Sequence, residues 1–298
     1  MSSAALRTAD ETVDVSVIIP CHNEELSIGD QLDALEVQEY NGTFEVIVVD
    51  NRSTDGTAEL VQRRMAHWPA LRMVSAGDRS GAGYARNSGA AVARGKYLMF
   101  CDGDDVVMAG WVQAMSDGLD HNGLVAARIE IENLNPAWLI KSRGLSAQQS
   151  GPPRFYGGIA YAPAGAHGIH RSVFDSVGAY NEDIFGAEDL EYALRALQHG
   201  VDVTVAEDAI IQYRYRSTPN ALYRQGLNYG TYRPLVAKWM VEAGLKRPPR
   251  LAGWKSWIVL WLSLPTIITA HGRARWAWIA GNRFGHLRGS IRYRTLLV

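Results

Sequence analysis

Residues Glu45-Val-Ile-Val-Val-Asp-Asn-Arg-Ser-Thr-Asp-Gly-Thr-Ala-Glu-Leu-Val-Gln-Arg-Arg-Met-Ala66 read as a strand, a polar turn and a helix in immediate succession. The β-branched run is short, apolar and bounded by turn formers, as befits a strand buried on both faces. Ser53 or Asp55 is suited to capping the helix, and Thr57 to Ala66 carries the helical period. The same unit stands on either side. Val13 to Pro20 precedes a helix over Ile28–Glu36, Leu71 to Ser75 precedes one over Ala82–Ala93, and Tyr97 to Cys101 forms a fourth strand. Alternation of this kind predicts an α/β fold, with a mostly parallel central sheet, right-handed crossovers and flanking helices. Ligands in such sheets bind beyond the carboxyl ends of the strands. The residues to examine are therefore His22-Asn-Glu24, Asp50 to Asp55, Gly77 to Arg79 and Asp102 to Asp105.

Further along, the alternation loosens after Asp120 into a Pro- and Gly-rich stretch, Asn133 to Gly168. It resumes at Ile169, and a helix from about Ala187 to Gln198 closes the domain. The chain of 298 residues, 47% hydrophobic and 20% charged, suits one substantial folded domain with an appendage. The expected division is a loose arm over 1–12, a domain over 13–242 and a basic, Trp-rich helical region over 243–298. The net charge of −1 conceals an asymmetry. No acidic residue follows Glu242, whereas ten Lys and Arg do, leaving the first 242 residues at −11. An acidic body argues against nucleic acid, and the tail suggests an anionic membrane surface.

Within the tail, Trp254 to Ala270 is apolar but interrupted by Pro265 and shorter than a spanning helix requires. Interfacial attachment is expected, with Trp254, Trp257, Trp261, Trp276 and Trp278 at headgroup depth and the arginines on anionic lipid. A re-entrant hairpin, a solvated basic helix, or a helical pair packed on the domain or on a second subunit are the alternatives. Cys21 and Cys101 end strands and read as buried small hydrophobes. With only two cysteines and no basic segment followed by an apolar run at the N-terminus, neither a disulfide framework nor a signal peptide is indicated. A reducing cytoplasm is the expected compartment.

Chemistry concentrates in four places. Phe100-Cys-Asp102-Gly103-Asp104-Asp105 ends a buried strand in three carboxylates, a self-repelling cluster unless Mg²⁺ or Mn²⁺ sits among them and bridges to a diphosphate. Asp50 ends another strand and suits hydrogen bonding to a base or ribose, as acidic residues do in other nucleotide sites. Asp78 to Gly89 is a glycine-containing helix start bearing Arg86 and Asn87, without the lysine of a P-loop. Phe185-Gly-Ala-Glu188-Asp189 opens a helix. There the acidic pair either answers the helix dipole or supplies a general base, Asp189 or Glu188, to a hydroxyl acceptor.

Taken together, Val17-Ile-Ile-Pro20-Cys-His-Asn23-Glu24, Val48 to Thr57, Ala85-Arg86-Asn87-Ser-Gly89, Asp102-Gly-Asp104-Asp105 and Gly186-Ala-Glu188-Asp189 closely resemble the family 2 glycosyltransferases in order and spacing. The resemblance spans about Val15 to Arg216. It implies a GT-A type fold, a nucleotide-diphospho-sugar donor such as a UDP-sugar, Mg²⁺ or Mn²⁺, and inversion at the anomeric carbon. It also implies roles for individual residues. Pro20, Asn23 and Glu24 would line the nucleoside pocket, Asp50 would contact the base or ribose, and Arg86 would lie near the diphosphate. Asp102 and Gly103 would meet ribose or donor sugar, and Asp104 would ligate the metal. Asp189 would be the base, with Glu188 positioning donor or acceptor, and Asn133 to Gly168 would be the acceptor-side insertion.

One departure stands out. Many relatives carry a metal-ligating His where Gln212 stands here. Either the metal is held more weakly, or His167 or His170 substitutes, or Arg214 and Arg216 help the diphosphate. Rival readings are a sugar nucleotidyltransferase, whose Gly-rich basic loop after the first strand is missing, and a noncatalytic nucleotide-sugar binder. A membrane-attached enzyme would favour a lipid-linked or cell-envelope acceptor, and a homo-oligomer is a further option.

Overall fold

The structure is a computed structural model that describes residues 13–143, 151–156, 158–249, 251 and 253–297. The expected arm over 1–12, part of the insertion and Arg250 lie outside them. The alternating half forms as its periodicity predicts: β1 (Val15–Cys21), α1 (Ile28–Glu36), β2 (Phe44–Asp50), α2 (Thr57–Met65), β3 (Leu71–Ser75), α3 (Ala82–Val92) and β4 (Tyr97–Cys101). Then come β5 (Val106–Val107), α4 (Trp111–His121), β6 (Leu124–Glu130), α5 (Ala137–Arg143), β7 (Arg154–Phe155), β8 (Ile159–Ala160) and β9 (Ala166–His170). α6 (Arg171–Val177), α7 (Glu188–Gln198) and β10 (Val203–Gln212) complete the α/β body.

Eight strands make one sheet in the order β3-β2-β1-β4-β9-β6-β10-β5. It is mostly parallel, with β9 antiparallel to both β4 and β6, and β5 antiparallel to β10. Side chains on β1 alternate between two cores. Val15, Val17 and Ile19 pack with Leu32, Leu35, Val61 and Met115 on one face. Ile18 packs with Ala85, Ala90, Tyr192 and Ala196 on the other. Helices thus cover both faces, which explains the nearly continuous apolar runs of β1, β2 and β4.

The Asn133–Gly168 stretch is not all insertion. Ala166-His-Gly168 belongs to β9, a central strand. Its residues lack a β-branched run, and two neighbours in the sheet impose the strand. Gly168 lets α4 pack close there, since a Cβ would lie 2.8 Å from the Leu119 side chain.

Beyond β10 the chain forms α8 (Pro219–Glu242), α9 (Trp254–Leu262), a 3₁₀ turn over Leu264–Ile268 and α10 (Ala270–Arg292). α8 and α10 lie parallel and very close. A Cβ on Gly226 would meet the Trp278 carbonyl at 2.9 Å, and one on Gly281, Gly285 or Gly289 would overlap the carbonyls of Tyr223, Leu227 and Thr231. Five glycines at four-residue spacing let the two backbones touch, as small residues do at close helix crossings. α10 also meets α5, where the Arg143 guanidinium sits 3.4 Å over the Trp278 ring.

That packing corrects part of the tail reading. Trp278 faces the domain, Trp257 is half-buried against Phe284, and Arg283 is buried, so these side chains are not free for lipid. Trp254, Trp261, Leu262 and Ile268 are exposed, and no described helix is long and apolar enough to cross a membrane.

Candidate functional site

The carboxyl ends of β1, β2 and β4 supply the floor of the site. β4 is wholly buried up to Cys101, and the chain then turns sharply through Asp102-Gly-Asp104-Asp105. A Cβ on Gly103 would lie 2.8 Å from the Cys21 sulfur and 3.3 Å from Ile28, so only glycine lets this turn close on β1. Gln31 holds it from α1, donating to the Asp102 carbonyl at 3.2 Å and accepting from the Val107 N–H at 2.9 Å.

One carboxylate oxygen from each of Asp102, Asp104 and Asp105 lies within 4.8 Å of the others. Asp105 accepts from the Arg214 N–H at 2.8 Å through Oδ1, while its Oδ2 is buried without a hydrogen-bond partner. Burial raises the pKa of both Asp104 and Asp105. Asp104 and Asp102 raise that of Asp105 further, and Arg216 opposes the rise at Asp104. The Arg216 guanidinium contacts Asp104 Oδ2 at 3.0 Å, and Arg214 Nε donates to the Asp104 carbonyl at 2.8 Å. An orphaned carboxylate oxygen among mutually repelling acids fits a hard divalent cation.

The three candidates for an extra metal ligand are engaged elsewhere. His167 is buried, its Nδ1 against the Pro163 carbonyl at 3.0 Å and its Nε2 against the Tyr180 hydroxyl. Burial, with Arg86 nearby, pushes its pKa down to about 3. His170 pairs with Tyr97 at the opposite end of β4 and caps α6, accepting from the Ser172 N–H. Gln212 donates to Glu130 at 2.8 Å and accepts from the Asn133 N–H at 3.3 Å. Of the options read from sequence, Arg214 and Arg216 are the residues at the acidic turn.

A cavity of about 510 Å³ opens over these strand ends, bounded by Pro20, Glu24, Arg86, Asp102, Gly103 and Asp104. His22, Asn51, Gly81, Arg216 and Tyr229 also line it. Burial, then Asp104, lifts the Glu24 carboxyl to about 7. Asn23 and Asp50 are not wall residues. Asn23 Oδ1 accepts from the Thr54 N–H at 2.7 Å, and Asp50 Oδ1 accepts from the Ser53 N–H at 3.2 Å, so both brace the turn beside the cavity. Asp55 accepts from the Thr57 N–H at 3.1 Å, bracing the turn ahead of α2, while Gly56 takes the N-cap position expected for Asp55 or Ser53. Asn51 went unnoticed beside Asp50. Its amide donates to the Ala76 and Arg79 carbonyls and accepts from the Gly81 N–H, tying the β3–α3 loop to the β2–α2 turn.

A second cavity of about 210 Å³ adjoins the first and shares Arg86, Asp102, Gly186, Glu188 and Tyr229 with it. Gly186, at φ +87°, turns the chain into α7, and a Cβ there would strike the Tyr229 ring at 2.6 Å. Glu188 accepts from the Gly186 N–H at 2.6 Å and from Arg86 at 3.2 Å. Arg86, buried, also donates to Asp102 at 2.8 Å. Burial opposes its charge, but Asp102 and Glu188 outweigh burial and hold it protonated. Asp189 lines only this smaller cavity, and burial, then Glu188, raises its carboxyl to about 7. Tyr161, Tyr213 and Arg233 complete the wall. Tyr229 and Arg233 stand four apart on α8, a shared helical face that the sequence displays.

Residues 16–178 match the sequence profile described as Glycosyl transferase family 2. Over 248 residues the chain is 27% identical to Glycosyltransferase AglE of Haloferax volcanii, covering 80% of this chain and 79% of that protein. It is 26% identical to Uncharacterized glycosyltransferase YibD of Escherichia coli over 229 residues, which span 74% of this chain and 63% of YibD. The fold is similar to that of mannosyltransferase PcManGT from Pyrobaculum calidifontis, solved in complex with GDP-Man and Mn²⁺, with a TM-score of 0.61, 17% identity and coverage of 94% and 88%. It also matches Staphylococcus aureus TarS 1-349 in complex with UDP-GlcNAc, with a TM-score of 0.57, 19% identity and coverage of 95% and 93%.

Proposed function

Since this chain belongs to glycosyl transferase family 2, we propose that it moves a sugar from a nucleotide-diphosphate donor, a UDP-sugar by our reading, to a hydroxyl acceptor with inversion. The catalytic unit is residues 13–242, and residues 243–298 form the helical region that attaches it to the inner membrane surface. One observation carries the reading. Two adjoining cavities meet at Arg86, Asp102 and Glu188, with Asp104 of the acidic turn in the larger and Asp105 and Asp189 in the smaller. A donor spanning both has its diphosphate near the turn and its anomeric carbon toward Asp189.

Asp104 would hold Mg²⁺ or Mn²⁺, with Asp102 and Asp105 beside it. The ion, when bound, supplies positive charge that stabilises the departing diphosphate. Pro20, Asn23, Glu24 and Asp50 position the nucleoside, directly or through the Ser53-Thr54 turn. Asp102 and Gly103 receive ribose or the donor sugar. Arg86 keeps the donor and base sides in register through its two carboxylate contacts, and Arg216 offers a guanidinium to the diphosphate. Asp189 takes the proton of the acceptor hydroxyl as its oxygen bonds to the anomeric carbon and the bond to the diphosphate oxygen breaks. Glu188 fixes the turn into α7 and so the aim of Asp189.

The experiment is a donor screen by nucleotide release, with and without EDTA, on wild type, Asp104→Asn and Asp189→Asn. Release with one nucleotide sugar, lost in EDTA and in both variants, supports the assignment. Near-normal turnover in either folded variant refutes it.

A further inference from the structure

Several arginines of the α/β body meet carboxylates: Arg72 and Arg94 at Glu45, Arg86 at Asp102 and Glu188, Arg216 at Asp104. Three on or beside the paired helices α8 and α10 do not. Arg143, Arg233 and Arg283 make no ion pair among the described residues. Arg283 is 6% exposed with its Nη1 unpartnered, and His286, 1% exposed, hydrogen-bonds through neither ring nitrogen. Arg143 leaves Nε and Nη1 unpartnered as well. Among the described residues, the polar contact of Arg233 is a long 3.5 Å bond to the Asn282 side chain.

Burying a guanidinium without a counter-charge is unfavourable, and two near each other compound the cost. Burial holds the Arg283 pKa below its usual value, and Arg233 adds to that. His286 is pushed to about 2 by burial, with both arginines contributing, so it is neutral and supplies no compensation. An oxyanion would offset the deficit, and a guanidinium fork matches phosphate oxygens in geometry. Arg233 lines the 210 Å³ cavity together with Arg86 and the carboxylates Asp102, Asp105, Glu188 and Asp189; Arg86 is paired with Asp102 and Glu188, and Arg233 is the lining cation that makes no ion pair among the described residues. Tyr161 lies between their fields, its hydroxyl pushed to about 12 by burial and by Asp189, with Arg233 opposing.

We propose that Arg233 forms a phosphate-binding subsite on the α8 side of this cavity, so that the acceptor is a phosphorylated hydroxyl compound. The inference rests on the cavity beside Asp189 being the acceptor pocket. Its phosphate comes either from a lipid or from a soluble ester.

The test uses the full-length protein and inorganic phosphate in EDTA, read as a shift in thermal unfolding midpoint. Wild type and Arg216→Gln should both be stabilised. Arg233→Gln should need about tenfold more phosphate for the same shift, as loss of a charged hydrogen bond predicts. Arg233→Lys should retain most of the response. Arg233 is half-buried, so its variants are expected to fold, which circular dichroism checks. An Arg233→Gln response equal to wild type overturns the proposal. So does a response lost only in Arg216→Gln, which puts the phosphate in the donor cleft. Flotation on phosphatidylcholine vesicles with and without phosphatidic acid separates the sources. A phosphatidic-acid preference lost in Arg233→Gln assigns lipid phosphate, and a preference indifferent to it, beside a lost phosphate response, assigns a soluble ester. No sugar donor enters this assay, so its failure is separate from failure of the Asp189 reading, which transfer by Asp189→Asn would reveal.

Discussion

Asp189 has a pKa near 7 because it stands in a buried wall next to Glu188. Its proposed work requires the ionised form, so log kcat/KM should fall by about one for each pH unit below 7 and level off above it. A profile flat from pH 5.5 to 8 would remove Asp189 from that role. The same shift bears on folding. The folded state keeps its proton where the unfolded chain has lost it, so stability declines as pH rises from the ordinary carboxylate value of 3.8 to about 7. Asp189→Asn should therefore unfold at a higher temperature than wild type at pH 8, while transfer falls by about 10³-fold or more. Among the residues that line the larger cavity, Pro20, Glu24, Asp102 and Asp104 were legible because strand ends in an α/β sheet border its crevice. Asn51 was not, because its role lies in joining two loops, a property of no single segment.

At the scale of elements, the parallel strands announced themselves by composition and β9 did not. Its His167 and Gly168 are polar or small, and a strand so composed is fixed by its neighbours. The α8–α10 pair was written in the sequence as Gly226, Gly230, Gly281, Gly285 and Gly289. Residue spacing alone, however, does not say which helix answers which. Gly285→Leu should separate the pair, because a Cβ alone would overlap the Leu227 carbonyl. We expect a loss of about 3 kcal/mol in denaturant unfolding followed by tryptophan fluorescence. A loss below about 0.5 kcal/mol, the range of neutral surface changes, would mean that the helices do not depend on this contact.

For the whole molecule, the tail has two faces. One packs on α8 and α5, so truncation at Lys246 would strip cover from the domain and is a poor probe of attachment. The other exposes Trp261 (63%), Leu262 (75%) and Ile268 (82%), with Lys255, Arg273 and Arg275 also in solvent. In flotation with anionic vesicles, Trp261→Ser, Leu262→Ser and Ile268→Asn should each weaken binding by up to about tenfold. Raised salt should weaken it further. A triple variant that floats like wild type would leave the tail a packing element only. By itself the sequence determined the alternating sheet, the acidic turn and the family, because short-range periodicity and strand-end residue types dictate them. Tertiary structure alone decided that His167, His170 and Gln212 are spent on other partners, that Trp278 turns inward onto Arg143, and that Arg233, in the same cavity wall as Asp189, makes no ion pair among the described residues. Those outcomes depend on which distant groups reach one another and which are left unpaired, and that is fixed only when helices and sheet pack.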